Sequence, residues 1–398
     1  MSITVCVGQC GNQVGAEILA LTPSSTGEDH RPYILVDSEP KVVRSISARV
    51  AGVHVEQSGR GNNWAMGYHQ RTNVALTELV LESLRKEIEV VDCYRGAVLM
   101  HSLAGGTGAG LGCRLLEAIR DRYPKAYILN GCIAPSLRGD TPLQNYNALF
   151  TLRHLQTYSD AVLFKDNDDL TRLVGHWRSG SAGVTLDDMN KLVAADWAGL
   201  LLPSTTNRTR AFDPGTFVTQ VCPLSSIKFV DVRTAYVMKK PPRGRHPFVA
   251  VATSTDLDTS LVDATKQLLV SYPYAVMQAT SIGRHMSVRG CRDTEVAKAV
   301  ARVVAKSLPP PDFLSGDIST TLSTEAPVSA TSGSVTLCSN GQTNAIPLIQ
   351  TFIERAAKQL HAKAYLHWYR KYGVVEADFE DSLDACLGIV DEYKAWTE

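Results

Sequence analysis

No part of this chain narrows its fold more than Val98-Leu99-Met100-His101-Ser102-Leu103-Ala104-Gly105-Gly106-Thr107-Gly108-Ala109-Gly110-Leu111-Gly112. The apolar run from Gly96 to Leu103 predicts a buried strand, and the apolar spacing from Leu111 to Arg120 predicts a helix. Between them lies a glycine-rich turn. A strand, a tight glycine turn and a helix N-terminus together make an anion site. Backbone free of side chains lets phosphate oxygens reach several N–H groups, and the helix dipole adds partial positive charge. Thr107 offers a hydroxyl in the same loop. The plainer alternative is a glycine turn that holds no ligand. Two phosphate motifs are excluded. The chain has no Gly-Lys pair, hence no P-loop lysine, and glycines at 105, 106, 108, 110 and 112 do not fit the three-glycine dinucleotide spacing.

A chain of 398 residues is long enough for two domains with large cores. Lys+Arg and Asp+Glu both total 40, so a near-zero net charge gives no ground for a nucleic acid or an anionic membrane as partner. No apolar run reaches the length of about eighteen residues that a membrane span needs, and the opening Met1-Ser2-Ile3-Thr4-Val5-Cys6 lacks the pattern of a signal peptide. Nine scattered cysteines without a CxxC pair predict reduced thiols in a cytoplasmic protein, with no disulfide frame or zinc site. Cys6 and Cys10 read as a strand residue and a loop residue rather than a metal clamp.

A second strand–loop–helix unit opens the chain. Ile3–Val7 is a short β-branched run, and Gly8-Gln9-Cys10-Gly11-Asn12-Gln13-Val14-Gly15 leads into a helix ending near Leu21. Two such units in one domain can converge on one polyphosphate. Further strands are expected at Tyr33–Asp37, Tyr127–Ile133, Ala161–Phe164, Ile227–Val230 and Phe248–Ala252. Helices are expected at Asn73–Val90, with Leu76, Leu79, Val80, Leu84 and Ile88 on one face, at Tyr146–Tyr158, at Leu186–Leu201, and in two stretches after Pro347. Met238–His246 is a basic loop, either solvated or facing an anionic partner. Pro309-Pro310-Pro311 and the Ser/Thr-rich run Ser319–Ser334 read as loops.

The glycine loop resembles the tubulin signature loop, Gly-Gly-Gly-Thr-Gly-Ser-Gly, which wraps the phosphates of a guanine nucleotide. Ala104 stands for the first glycine and Ala109 for the serine. Gly8–Gly15 is similar to the opening motif of eukaryotic tubulins, which the bacterial division relatives lack. Asp37-Ser38-Glu39-Pro40 resembles the tubulin Asp-x-Glu-Pro element, and Gly61-Asn62-Asn63-Trp64-Ala65 the loop that covers the γ-phosphate. Arg138–Asn147 resembles the ribose loop, with Gln144 where the main tubulins carry glutamate. Asp166-Asn167-Asp168-Asp169-Leu170 resembles the element whose asparagine reads guanine, and Leu186–Leu201 resembles the central helix. Lys363–Tyr369 is similar to a further tubulin segment, read as core and subunit surface, with His367 packed or partner-facing. Within the family, Glu56–Trp64, Gln144–Asn147 and Ala364–Gly373 look most like the delta branch, with epsilon and zeta as neighbours.

The resemblance implies an α/β fold, tubulin-like: a Rossmann-type parallel-sheet GTP-binding domain at 1–167, a connecting segment and central helix at 168–203, a second α+β domain at 204–345 and C-terminal helices at 346–398. It implies GTP or GDP held by Gly8, Gln9, Cys10, Gln13, Gly61, Asn62, Ser102, Ala104, Gly105, Gly106, Thr107, Gly108, Asp140, Asn167, Leu186 and Asn190. Asn190 matches the second guanine reader. Leu186 falls where the main tubulins stack a tyrosine on the base. Magnesium is expected at Asp37 and Glu39 through water, since a carboxylate beside a triphosphate needs a bridging cation. Helix N-caps at Asp37 and Asn167 are the alternatives. The catalytic acid of the family acts on a neighbour's nucleotide. Thr216 occupies the position of its glutamate and Asp213 that of a second acid, so hydrolysis is expected to be slow. The implied function is a structural component or assembly factor of a microtubule-based organelle (centriole, basal body, cilium or flagellum). Its partners would be tubulin-like subunits stacked head-to-tail and centriole or basal-body proteins. The alternative is a GTP-binding regulator that caps or sequesters tubulin outside a lattice.

Overall fold

The computed structural model describes residues 2–21, 31–44, 46, 50–139, 141–177, 183–202, 212–238, 249–250, 257–271, 281–291, 293–308, 318–323, 331–341 and 345–396. Asp140, residues 22–30 of the first polar loop, 239–246 of the basic loop and Pro309-Pro310-Pro311 lie outside them.

The strands are β1 (Ser2–Val7), β2 (Arg31–Asp37), β3 (Val50–Val55), β4 (Gly96–Ser102), β5 (Tyr127–Ala134), β6 (Ala161–Asp166), β7 (Phe229–Met238), β8 (Val249–Ala250), β9 (Ser281–Arg289), β10 (Ser319–Ser323) and β11 (Thr331–Gly341). Among the described residues they form one 11-stranded sheet in the order β10-β9-β11-β7-β6-β5-β4-β1-β2-β3, with β8 on β7. From β3 across to β7 every neighbour is parallel, and β11 then runs antiparallel between β7 and β9. The order 3-2-1-4-5-6 of the first six strands is the doubly wound one. It reverses between β1 and β4, and the crevice beyond their carboxyl ends is where such sheets bind ligands.

The helices along the first part of the chain are α1 (Gly8–Leu21), α2 (Pro40–Val43), α3 (Trp64–His69), α4 (Thr72–Val90), α5 (Gly112–Arg122), α6 (Gln144–Tyr158), α7 (Asn167–Trp177), α8 (Leu186–Leu201), α9 (Pro214–Val221) and α10 (Leu257–Val270). A π-helical turn, Thr107–Leu111, runs straight into α5, so helical backbone begins four residues earlier than the apolar spacing predicts. Strand side chains alternate between two cores. Ile3, Val5 and Val7 join Ala97 and Leu99 on one face, with α4, α5, α6 and the last helices, Ala345–His361 and Glu376–Ala395, laid over them. Cys6, Val98 and Met100 face the other way, against Ile18 of α1 and Trp197 of α8.

Several expectations need correction. Leu79 is 56% exposed, whereas Leu76, Thr77, Val80, Leu81 and Leu84 are buried. At 100° per residue, Leu79 falls about 130° from the centre of that face. Cys10 lies in the first turn of α1, not in a loop. The run Ser319–Ser334 is not a loop throughout: it supplies β10 and the start of β11, and threonine suits a strand whose hydroxyls find partners. β7 runs on to Met238, eight residues past Val230, because its charged members are paired inside the fold. Arg233 bonds Asp231 at 2.8 Å and Asp169 at 2.8 Å, and Asp231 also pairs with Lys165 of β6 at 3.4 Å.

Candidate functional site

The loops after β1, β2, β3 and β4 meet at the reversal of strand order. Gly8 has φ +72°, a left-handed conformation, and a Cβ there would stand 2.8 Å from the amide nitrogen of Gly108. Gly106 is equally constrained: its Cβ would lie 2.5 Å from both Cβ and the carbonyl oxygen of Arg60. Glycine is therefore required where three loops touch backbone to backbone. Ser102 donates to the carbonyl of Ala104 at 2.6 Å, which shapes the turn before Gly105. The hydroxyls of Ser38 and Thr107 are 2.5 Å apart, tying the β2 loop to the glycine loop.

Two helical N-termini, α1 at Gly8 and the π turn at Thr107, open into this crevice. First-turn N–H groups have no acceptor within their own helix, so they are donors for an anion. Gln9 is exposed and Cys10 half-buried. Burial pushes the Cys10 thiol up to about 12, so it stays a protonated thiol rather than a thiolate. Behind the loop, His101 packs on Gly112 and shares a 3.0 Å hydrogen bond with Asn130, and burial lowers its pKa.

Asp37 is 4% exposed. Its Oδ1 accepts from the amides of Ser38 at 2.8 Å and Glu39 at 3.3 Å, and its Oδ2 from the Asn12 side chain at 3.3 Å. Burial raises its pKa, against those three donors, which lower it. Asp37 thus caps the turn into Pro40, and Glu39 is the carboxylate left open to solvent. Among the described residues no cluster of three or more His, Cys, Asp or Glu side chains could hold a metal. A magnesium ion that takes most of its oxygens from phosphate and water needs no such cluster, and Glu39 fits that mode better than Asp37.

Gly61 and Asn62 both adopt left-handed φ, +53° and +49°. The carbonyl of Asn62 accepts from Asn147 at 2.7 Å, while Asn63 caps α3 and donates to the carbonyl of Trp368 at 3.0 Å. The segment resembling tubulin at 363–369 thereby fastens this loop from behind. His367 is exposed on it and Trp368 is 49% exposed.

Asn190 on α8 donates to Gln13 on α1 at 3.2 Å, bringing together two expected nucleotide contacts. Leu186 opens α8 behind a capping box of Thr185 and Asp188 and is 61% exposed. At the start of α7, Asp166 rather than Asn167 accepts the first-turn amides, those of Asp168 at 2.7 Å and Asp169 at 3.2 Å. The N-cap alternative for Asn167 falls. Gln144 is buried and donates to the carbonyl of Ser136 at 3.2 Å.

Asp213 lies at the other end of the sheet, beside the first residues of β4 and β5. It pairs with Arg95 at 2.8 Å and accepts from the hydroxyl of Thr216 at 2.6 Å. Burial pushes its pKa up, but Thr216 and Arg95 outweigh that and hold it below the usual carboxylate value. Seven residues of β4 separate it from Ser102, roughly 20 Å at strand rise. Arg95, Asp213 and Thr216, with Tyr94, Tyr123 and Tyr127, line a cavity of ≈ 760 Å³ there. Sequence reasoning passed over Asn12, whose Nδ2 donates to the carbonyl of Val36 at 2.9 Å and whose buried Oδ1 has no partner among the described residues. Its place inside the Gly8–Gly15 motif was the available signal.

Residues 2–175 match the Tubulin/FtsZ family, GTPase domain. Over 465 aligned residues the chain is 27% identical to the tubulin delta chain of Homo sapiens, covering 98% of this chain and 99% of that one. The tubulin delta chains of Macaca fascicularis and Mus musculus are each 26% identical, over 98% of this chain.

Proposed function

We propose that this chain, which has a tubulin-like fold and a Tubulin/FtsZ-type GTPase domain at its start, binds a guanine nucleotide and assembles head-to-tail with tubulin-type subunits. The contact of the loops at Gly8, Ser38, Arg60 and Thr107 beyond β1 and β4 carries this reading. Gly8, Gln9 and Cys10 and the turn Ala104 to Gly108 would receive the phosphates, with Ser102 shaping that turn. Gly61 and Asn62 would meet the terminal phosphate, and Gln13, Asn167, Leu186 and Asn190 the base. Glu39 would meet magnesium through water, and Asp140 the ribose. Leucine at 186 can pack against a purine but cannot stack as tyrosine does, which weakens hold on the base.

Asp213 is too far along the sheet to reach the chain's own nucleotide. It would act only on that of a subunit stacked below, which the head-to-tail arrangement supplies. Paired with Arg95 and Thr216, it is a poor base, so GTP serves as a structural ligand or slow timer. The similarity to tubulin delta chains supports a place in a centriole, basal body, cilium or flagellum. Sedimentation of the purified chain with GTP, alone and with αβ-tubulin, tests this. Co-sedimentation in GTP-dependent polymers is expected. Soluble complexes that lower the polymer yield would instead make the chain a capping or sequestering regulator.

A further inference from the structure

Arg60 stands in the loop between β3 and α3, just before the left-handed pair Gly61 and Asn62, and its side chain is fully buried. A buried guanidinium is costly unless acceptors surround it. Here Nη1 donates to the carbonyl and hydroxyl of Ser58, at 2.5 and 2.6 Å. Nη2 donates to the Glu56 carboxylate and to Oδ1 of Asn73 at 2.6 Å. Asn73 in turn donates to the carbonyl of Gly67. The guanidinium so joins the end of β3, the loop itself and the first turn of α4. At its other end, the Arg60 backbone rests on Gly106 so tightly that a Cβ there would overlap it. Glu39 borders the same loop, its Oε1 2.9 Å from where a Cβ of Gly59 would stand.

We propose that Arg60 is a positioning residue that holds the 58–62 loop in shape before any nucleotide arrives, and so sets the preference of the chain for a nucleoside triphosphate over a diphosphate. The proposal rests on the guanine-nucleotide reading above. Ordering a loop on ligand arrival costs conformational entropy, and a loop already fixed spares the ligand that cost. Only a ligand that touches the loop benefits. Glu56 neutralises the guanidinium, so the contribution is geometric: a planar fork spans Glu56, Ser58 and Asn73 at once, which a lysine ammonium cannot do.

Equilibrium titration of GTP and GDP into the wild type, Arg60→Ala, Arg60→Lys and Glu56→Gln tests it. Arg60→Ala is expected to weaken GTP about tenfold or more while GDP changes less than about threefold, and Arg60→Lys is expected to behave like alanine. Glu56→Gln, a milder change that keeps an acceptor, should lower the GTP:GDP preference in the same direction and decides the matter if the Arg60 variants do not fold. A merely structural role would lower both affinities together and leave their ratio at the wild-type value; that result overturns the proposal. Wild type that binds neither nucleotide would overturn the nucleotide reading as well, whereas wild-type binding with an unchanged ratio in the variants overturns this proposal alone.

Discussion

In the proposed site Thr107 would carry two duties at one hydroxyl. It bonds Ser38 and stands at the first helical turn of the glycine loop, where a phosphate oxygen would approach. Thr107→Ala should cost about 1–3 kcal/mol in GTP affinity, read by calorimetric titration. Unchanged affinity would remove the phosphates from this loop. His285 offers a test that needs no ligand. It is buried on β9 between the hydroxyls of Ser319 at 3.1 Å and Thr321 at 3.4 Å, and burial lowers its pKa from 6.5 to about 4. The unfolded chain therefore takes up a proton in that window which the native chain refuses. The stability that neutral His285 contributes is complete above pH 6.5 and is lost as pH falls towards 4, a total of about 3 kcal/mol. The urea midpoint of His285→Gln should fall less steeply than that of the wild type between those limits. Parallel slopes would mean that His285 is not held neutral by the fold. The other described histidines whose pKa burial lowers, His54, His69, His101 and His154, contribute equally to both proteins, so the difference isolates this one.

At the scale of the element, α8 lies so close to the sheet that one position admits only glycine. A Cβ on Gly199 would stand 2.2 Å from the hydroxyl of Thr336 and 2.7 Å from that of Thr234, which bond each other at 2.9 Å. Alanine is the better helix former by about 1 kcal/mol, but the overlap costs about 1–3 kcal/mol. Gly199→Ala should therefore destabilise the chain in chemical denaturation, and a gain in stability would show that the helix stands farther off. Which elements were legible follows from their charges. β1 and β4 are apolar and β-branched, and their spacing announces them. β9 is a buried strand containing Arg284, His285 and Arg289, and no apolar pattern points to it. Its arginines are spent on helix ends: Arg284 donates to the carbonyl of Leu308 at 2.6 Å, and Arg289 to those of Gly199 and Leu202 at 2.9 and 2.7 Å. In the site, the glycine turns were legible because backbone conformation is local. The pairing of Asn190 with Gln13, 177 residues apart, and the wedge of Arg60 under Gly106 depend on contacts that no spacing encodes.

Across the whole molecule, the loops proposed to hold the nucleotide gather at one end of the parallel strands and Asp213 sits at the other. That polarity suits a subunit that offers its nucleotide to one neighbour and an acid to the next. Because Arg95 and Thr216 occupy Asp213, single-turnover hydrolysis by assembled protein should be slow, and Thr216→Glu should speed it by freeing Asp213 of its hydroxyl partner and adding a second carboxylate. Fast hydrolysis by the wild type, abolished in Asp213→Ala, would make Asp213 an active base and end the slow-timer reading. All of this depends on the crevice between β1 and β4 taking a guanine nucleotide. Calorimetric titration of the full chain with GTP in magnesium buffer, repeated with GDP and ATP, tests that most directly. The expected result is one GTP per chain, competed by GDP and not by ATP. Absence of binding, or ATP competing as well as GDP, would contradict it.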